Sequence, residues 1–517
     1  MSASKPLLFQ EASIYALLKR EPRLPLFWAA VLSLVNALAT LAIIHDIHLL
    51  LSQFDTPQPW MALRFLFWLS LVFVSYLGAG TQISRLGCRA MMRFRQQLAA
   101  AVLHTDYQQV EQLGLARINA AFSEDLPRLG VVFTSLPGLL LNGLLVILAF
   151  VYLAVISWQH FLLTLVLVLI AIAVSERFLL RRLGDANRQF RLGMQNVLSR
   201  VHALVYGKKE LSFNQHRAKH YLDDRFHTDL QQLYDRTRRR DDYQNLYSGW
   251  SLSISLFIMA AVLLCAQWFL PMSLAVMSSY VLLLLYLRGP VIFLINHVPH
   301  WISAQVALHS LGSLQLNAVV ASNDVLPSNS LQPIDYTQWQ RLDFVDLRYQ
   351  YPPQSKGQDD EHRFALAPVT FGIERGEVVF ISGGNGRGKS TLLKLISGLY
   401  PSSAGAIYVD QERLQLENIP YYQSLISTVL DGFYVFDDAF QANQISVSPT
   451  QLKAWIQQFQ LPEQRIAEGQ HVDVHQWSQG QRKRLALIAA LAEDRDLLLL
   501  DEWAAEQDPM FRRYFYE

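Results

Sequence analysis

Long apolar runs alternate with polar segments of two very different lengths over the first part of this chain. The runs fall at residues 27–50, 61–80, 131–156, 161–180, 247–270 and 272–298. Each comes close to the ~20 mostly apolar residues a helix needs to cross a hydrocarbon core. Brief links at 51–60, 157–160 and 267–271 join the runs in pairs and contain no lysine or arginine. The long connections, 81–130 and 181–246, are rich in positive charge: Arg85, Arg89, Arg93 and Arg95 in one, and Arg181, Arg182, Lys208, Lys209, Arg238, Arg239 and Arg240 in the other. Positive charge collects on the cytoplasmic side of membrane proteins, so the pattern puts both long connections and both termini there. Trp60, Trp158, Trp268 and Trp301 sit near span ends, where interfacial anchors belong. Residues 1–26 lack a cleavage pattern and read as a retained cytosolic lead-in.

The two long connections have a helical pattern with few prolines or glycines. Spans two to five are therefore expected to continue as helices beyond the bilayer and to turn back near 110–114 and 205–210. Polar groups inside spans are costly in lipid and mark candidate contacts along a path. Asn36, Asn142, Asn296 and Arg288 qualify, with Pro290 expected to kink span six. For Arg288 a second reading stays open, an interfacial cation that snorkels or meets a carboxylate. Arg64, on the outer side, reads as snorkelling to headgroups. His45, Asp46 and His48 read as an interfacial polar cap in preference to a metal or proton site.

Composition agrees with a membrane protein. Of the 517 residues 51% are hydrophobic, and the net charge is only +1. A chain so balanced lacks the basic footprint of a nucleic-acid binder, and no nucleic-acid partner is expected. Cys88 and Cys265 lie far apart and supply neither a metal motif nor a disulfide framework.

The pattern changes at a polar stretch, 319–340, that includes Ser322, Asn323, Pro327, Ser328 and Pro333. It reads as a linker between a membrane domain, 1–318, and a soluble α/β domain, 341–517. In the second domain Gly383, Gly384, Asn385, Gly386, Arg387, Gly388, Lys389 and Ser390 fit G-x-x-x-x-G-K-[ST], with Thr391 opening a helix. Residues 377–381 just before read as a short buried strand. Such a loop aims backbone N–H groups and a helix N-terminus at one phosphate, which points to ATP. Lys389 would reach the β- and γ-phosphates and Ser390 would ligate Mg2+. Tyr351, chosen over Tyr349, is the candidate to stack on adenine. Ser478, Gly480 and Gln481 form a second Ser–Gly anion cradle at a helix start. Four leucines, 497–500, make a buried strand ending in Asp501 and Glu502. Asp501 is placed to hold Mg2+ through water and Glu502 to polarise the attacking water, the two roles phosphoryl transfer still lacks.

In this order the motifs resemble an ATP-binding cassette exporter of the half-transporter kind. The resemblance implies a six-span membrane α-helical domain followed by an α/β P-loop cassette. It also implies a homodimer in which Lys389 of one copy and Ser478 of the other sandwich one ATP, with Asp508 at the seam. The turns of the long connections would be the coupling helices. A narrower likeness, in Asp501–Pro509, Phe511–Tyr516, Gly383–Asn385 and Lys208–Leu211, is to bacterial cyclic-peptide and siderophore-peptide exporters and microcin exporters. It implies export of a peptide or peptide-like compound across the bacterial inner membrane. Three departures from the pattern stand out. Trp477 replaces the leucine that opens the signature and is expected to change packing more than chemistry. Asp431 stands at the usual Q-loop glutamine and is expected to meet Mg2+ directly or through water. The family's switch histidine lies further along than Glu517. A truncated or partner-dependent subunit that binds ATP without efficient hydrolysis is therefore the alternative, with export of lipid or another small molecule as a third reading.

Overall fold

The computed structural model describes residues 23–52, 60–268, 273–316, 339–352, 364–436, 448–462, 477–507 and 509–516. Two compact units emerge: Phe9–Gln96 with Ala121–Ser313, and Gln97–Ala120 with Leu314–Glu517.

In the first unit the apolar runs are helices. Six helices among the described residues are long and apolar enough to span a bilayer: Leu24–Ile47, Trp60–His104, Tyr107–Ile156, Trp158–Tyr206, Gln215–Trp268 and Val276–Gly312. The helix Trp60–His104 has 45 residues. At 1.5 Å per residue that is roughly 70 Å, about twice the hydrocarbon thickness, so the helix must run well past it. The core of the bundle is built from Ala37, Leu41, Ile44, Leu145, Ala149, Leu153, Val262, Tyr280, Leu283 and Leu287, contributed by the first, third, fifth and sixth spans. Elsewhere the apolar side chains point outward. Only 11% of the apolar window of Trp60–His104 is buried. So much uncovered apolar surface is tolerable against lipid and intolerable against water.

The polar groups of the spans divide between bundle and surface. Asn36 is buried; its Nδ2 donates to Val72 O at 2.7 Å and Ser75 Oγ at 3.1 Å. It is interhelical glue of the kind spans use in place of a hydrophobic drive, which removes it from the candidate path contacts. Asn142 donates to Gly138 O of its own helix. Arg288 and Asn296 are exposed. Arg64 does not snorkel alone: its Nε donates to Asp46 Oδ2 at 2.6 Å and its guanidinium lies over the Trp60 ring. His45 Nδ1 lies 3.2 Å from the Tyr152 hydroxyl. No cluster of potential metal ligands occurs among the described residues; the His48 side chain lies outside them. Asp46→Asn is expected to lower unfolding stability by about 1–3 kcal/mol, less than for a fully enclosed pair because Arg64 keeps some exposure. Thermal melting in nanodiscs checks this, and an unchanged midpoint would contradict it.

Both long connections turn back where short helices are set off by breaks. The helix Trp60–His104 breaks at Thr105 and Asp106. The helix Tyr107–Ala120 is in turn kinked at Gly114, whose φ of 74° and ψ of 151° suit glycine. In the other connection Lys208–Phe213 stands between breaks at Gly207 and Asn214. Asn214 caps the next helix through Arg217 N.

The second unit holds two sheets. Strands β1 (Arg341–Gln350), β2 (Ala365–Glu374), β3 (Ala404–Val409) and β4 (Glu412–Arg413) form an antiparallel sheet in the order β2-β1-β3-β4. Alternation along β1, reset by a register irregularity between Phe344 and Leu347, puts Leu342, Phe344, Leu347 and Tyr349 into a core shared with Leu392, Leu395, Ile396 and Tyr422. Strands β5 (Ile426–Val429) and β6 (Leu497–Leu500) pair in parallel, Ile426 opposite Leu497 and Val429 opposite Leu500. The four leucines are thus a strand.

Residues 377–381 are a correction: they form no strand, and Val378 and Phe380 are 76% and 77% exposed. A parallel strand is buried only where neighbours pair with it and helices cover both faces. Among the described residues none pairs with this run, so its apolar composition alone does not bury it.

Candidate functional site

The glycine-rich loop, 383–388, runs into the helix Lys389–Ile396. Two of its glycines have positive φ, 76° at Gly386 and 92° at Gly388. A Cβ at Gly388 would stand 2.7 Å from Phe364 Cζ and 2.8 Å from Leu366 Cδ1, whereas one at Gly386 would meet nothing within 4 Å. The loop is therefore packed on its β2 side and open elsewhere. Gly388→Ala combines a left-handed backbone with two overlaps. It is expected to cost roughly 1–3 kcal/mol of local stability and to weaken nucleotide retention at least severalfold. Equilibrium binding of labelled ATP checks this; parent-like retention would contradict it.

Lys389 reaches back over the loop. Its Nζ donates to Gly383 O at 3.1 Å and Gly384 O at 3.3 Å, and lies 3.7 Å from Glu502 Oε1. Arg387 N donates to Gly384 O, tightening the turn. Ser390 is half-buried and Thr391 buried at the helix start. Asn385 lies on the exposed turn of the loop. An ammonium inside a glycine loop at a helix N-terminus fits a polyphosphate.

The parallel pair brings the carboxylates to one end. Asp501 follows β6 directly, its N–H donates to Val429 O at 3.0 Å, and it is 7% exposed. Asp431 lies two residues past the end of β5 and is exposed. The C-terminal ends of parallel strands are where α/β sheets place ligands. Glu502 has φ 45°, a left-handed conformation that turns the chain sharply off the strand. Ser390, Asp501 and Asp431 are oxygen donors of the kind Mg2+ takes. That ion is usually held by one or two carboxylates plus substrate phosphates, so a protein-only cluster is not required.

The second cradle is well formed as a helix start. Ser478 caps the helix Gln479–Ala492: its Oγ accepts from Gln481 N at 3.3 Å, and Gln481 Oε1 accepts from Ser478 N at 3.1 Å. This reciprocal box satisfies two otherwise orphan donors. The Ser478 hydroxyl proton is not used by the bond its oxygen accepts, so it can still be donated. Trp477 is buried among Val429, Leu485 and Ile488, a packing role. Gln507, absent from the sequence-level candidates, ties this helix down. Its Nε2 donates to Gly480 O at 3.1 Å, and its Oε1 accepts from Arg484 Nε at 2.8 Å. Lys483 Nζ donates to Glu502 O, and Trp503 Nε1 to Lys483 O. The segment after β6 is thus anchored on the helix that Ser478 starts. Asp508 lies outside the described residues.

Tyr351 and Tyr349 separate by burial. Tyr349 is 2% exposed, and burial pushes its phenol up to about 12. Tyr351 is half-buried, its hydroxyl 3.2 Å from Thr391 Oγ1. Of the two, only Tyr351 keeps surface for a stacking partner.

Sequence spacing did not point to one further cluster. Glu111 accepts from Lys394 Nζ at 2.8 Å and also from the Tyr400 hydroxyl. Burial pushes the Lys394 ammonium down, and Glu111 more than restores it, leaving it raised. A raised cation contributes fully below its unfolded value and is lost only as pH climbs past the folded one, so the pair keeps its charge through neutral pH. Burial and Glu111 also push the Tyr400 hydroxyl up. Glu111 and Lys394 are 283 positions apart, too far for any motif to link them.

Comparison with known proteins places these regions. A profile described as ABC transporter matches residues 366–505, and one described as ABC transporter transmembrane region matches 26–291, just over half of the chain. The ATP-binding protein SyrD of Pseudomonas syringae pv. syringae is 28% identical over 507 residues, 95% of this chain and 87% of that protein. The nisin transport ATP-binding protein NisT of Lactococcus lactis subsp. lactis is 29% identical over 203 residues, 34% of this chain and 30% of that protein. The energy-coupling factor transporter ATP-binding protein EcfA of Enterococcus faecium is 31% identical over 176 residues, 32% of this chain and 61% of that protein.

Proposed function

Because the chain belongs to the ABC transporter family, with both its membrane region and its ATPase region matched, we propose that this ATP-driven exporter carries a peptide or peptide-like compound out of the bacterial cytoplasm across the inner membrane. Two copies act together, with both long connections and both termini on the cytoplasmic side. The observation that carries the ATP chemistry is the meeting of Lys389 and Glu502 at 3.7 Å, beside a glycine loop and the end of a parallel strand pair. The peptide class is supported by the likeness of 501–516 to cyclic-peptide exporters and by the nisin transport named for one relative.

Lys389 and the loop N–H groups hold the β- and γ-phosphates. Ser390, Asp501 and Asp431 would hold Mg2+, which would neutralise charge on the phosphates. Tyr351 offers its ring to adenine. Ser478 of the second copy donates its hydroxyl to the γ-phosphate, with Gly480 and Gln481 beside it and Asp508 at the seam. Glu502 takes a proton from water as the water oxygen bonds to the γ-phosphorus. The bond to the bridging oxygen breaks, and ADP leaves with the electron pair. Binding closes the two copies and hydrolysis releases them, a gating cycle that alternates access to the membrane path.

Inside-out vesicles carrying the chain are expected to take up members of a peptide panel only with ATP, and phosphate release is expected to be vanadate-sensitive. Uptake independent of ATP would reject the proposal. A second reading, a partner-dependent subunit that binds ATP but turns over poorly alone, is favoured by the exposed run 377–381 that feeds the loop. Retained ATP without phosphate release would select it.

A further inference from the structure

Residues 97–120, which connect spans two and three, are compact with Leu314–Glu517 and not with the membrane bundle. Gln109 Nε2 anchors them by donating to Gln315 O at 3.0 Å. Two residues on, the Glu111 carboxylate divides between two donors. Its Oε1 takes Lys394 Nζ at 2.8 Å, and its Oε2 takes the Tyr400 hydroxyl. Lys394 lies on the helix that starts at Lys389, close to one turn beyond Ser390. Its ammonium also sits 5.0 Å from the Tyr400 ring and 5.6 Å from that of Tyr107.

Tyr400 passes this grip on. Its ring stacks on Tyr349 at 4.8 Å and 22°, and meets Tyr351 edge-on at 5.9 Å and 89°. Tyr349 meets Tyr351 at 5.0 Å and 83°, and Phe364 closes a further side at 6.2 Å. Tyr351 is therefore boxed by three rings, and its hydroxyl rests on Thr391. Tyr349 and Phe364 belong to the sheet and its edge. Tyr400 is the wall held from outside, and Glu111 holds it.

We propose that Glu111 is a positioning residue for the nucleotide base. Through Tyr400 it fixes the pose in which Tyr351 receives the adenine ring, so that ATP affinity depends on the connection between spans two and three. This rests on the reading of Tyr351 as the base platform. Edge-to-face aromatic contacts are directional, and a platform left with one loose wall samples poses that stack less well. A hydrogen bond to a carboxylate is stronger than a neutral one, so its loss is felt.

The test compares Glu111→Gln, Glu111→Ala, Tyr400→Phe and Tyr351→Ala in nanodiscs. It measures KM and kcat for ATP, and inhibition by inorganic tripolyphosphate, which has no base. Tyr400→Phe keeps the ring and loses only the hydroxyl that Glu111 holds. It is expected to raise KM for ATP about three- to tenfold, with kcat and tripolyphosphate inhibition near the parent's. Glu111→Ala is expected to raise KM at least as much, and Glu111→Gln less, because its amide oxygen still accepts from Tyr400. If Tyr351→Ala raises KM while Tyr400→Phe and Glu111→Ala do not, the proposal is overturned. A fall in kcat with KM unchanged in Tyr400→Phe overturns it too. If Tyr351→Ala itself leaves KM unchanged, the platform reading fails first, and the proposal falls with it.

Discussion

Glu502→Gln is expected to lower the turnover number for ATP hydrolysis by about two to four orders of magnitude, the usual worth of a positioned general base. Glutamine matches glutamate in shape and cannot take up the proton that water must lose. The position also tolerates the exchange. The side chain is 60% exposed, and its contact with Lys389 Nζ at 3.7 Å is loose. An ion pair that open adds little to stability, so the variant should fold like the parent. The left-handed backbone at 502 suits glutamine no worse than glutamate. Nucleotide should be retained as well as in the parent or better, because a negative charge beside the phosphates is gone. Phosphate release and retained nucleotide are measured together on the same purified sample. A variant hydrolysing within about twofold of the parent would remove Glu502 from the chemistry.

Lys389→Ala should act on the other quantity. Charge-assisted hydrogen bonds are worth about 1.5–3 kcal/mol each, so losing the ammonium should weaken ATP binding by roughly one to two orders of magnitude. Lys389 is only 21% exposed, and its present partners are the carbonyls of its own loop and the half-open carboxylate of Glu502. Those contacts contribute little to folding, and the melting temperature should barely move. Retention of labelled ATP after rapid filtration is the measurement. Unaltered retention would mean that the loop does not grip a triphosphate, and the transport reading would lose its energy source. The two variants together separate grip from chemistry: one keeps nucleotide and stops turnover, the other loses nucleotide.

Much of the architecture was legible because it depends on local pattern. Apolar runs long enough to cross a bilayer, with arginine and lysine concentrated in alternate connections, specify membrane helices wherever they occur. Leu497–Leu500 reads as a strand from its own residues, and 383–390 reads as a phosphate loop from its glycines and lysine. The same pattern logic failed at 377–381. There the apolar residues say strand, but a ladder needs a neighbour that the residues themselves do not supply. It failed at Arg64 for a related reason: hydropathy sees a charge in an apolar run and cannot see that Asp46 stands within reach.

The sequence by itself determined the class of machine, since a phosphate loop, a Ser–Gly helix start and an acid-ended strand each carry their chemistry within a few consecutive residues. Only the tertiary structure decided which distant groups meet. Packing set Asp431 and Asp501 at one end of a parallel pair, buried Tyr349 while leaving Tyr351 half-buried, and delivered Glu111 to Lys394 and Tyr400. Such contacts join residues hundreds of positions apart. Their energy comes from burial and charge pairing in three dimensions, which no spacing along the chain encodes.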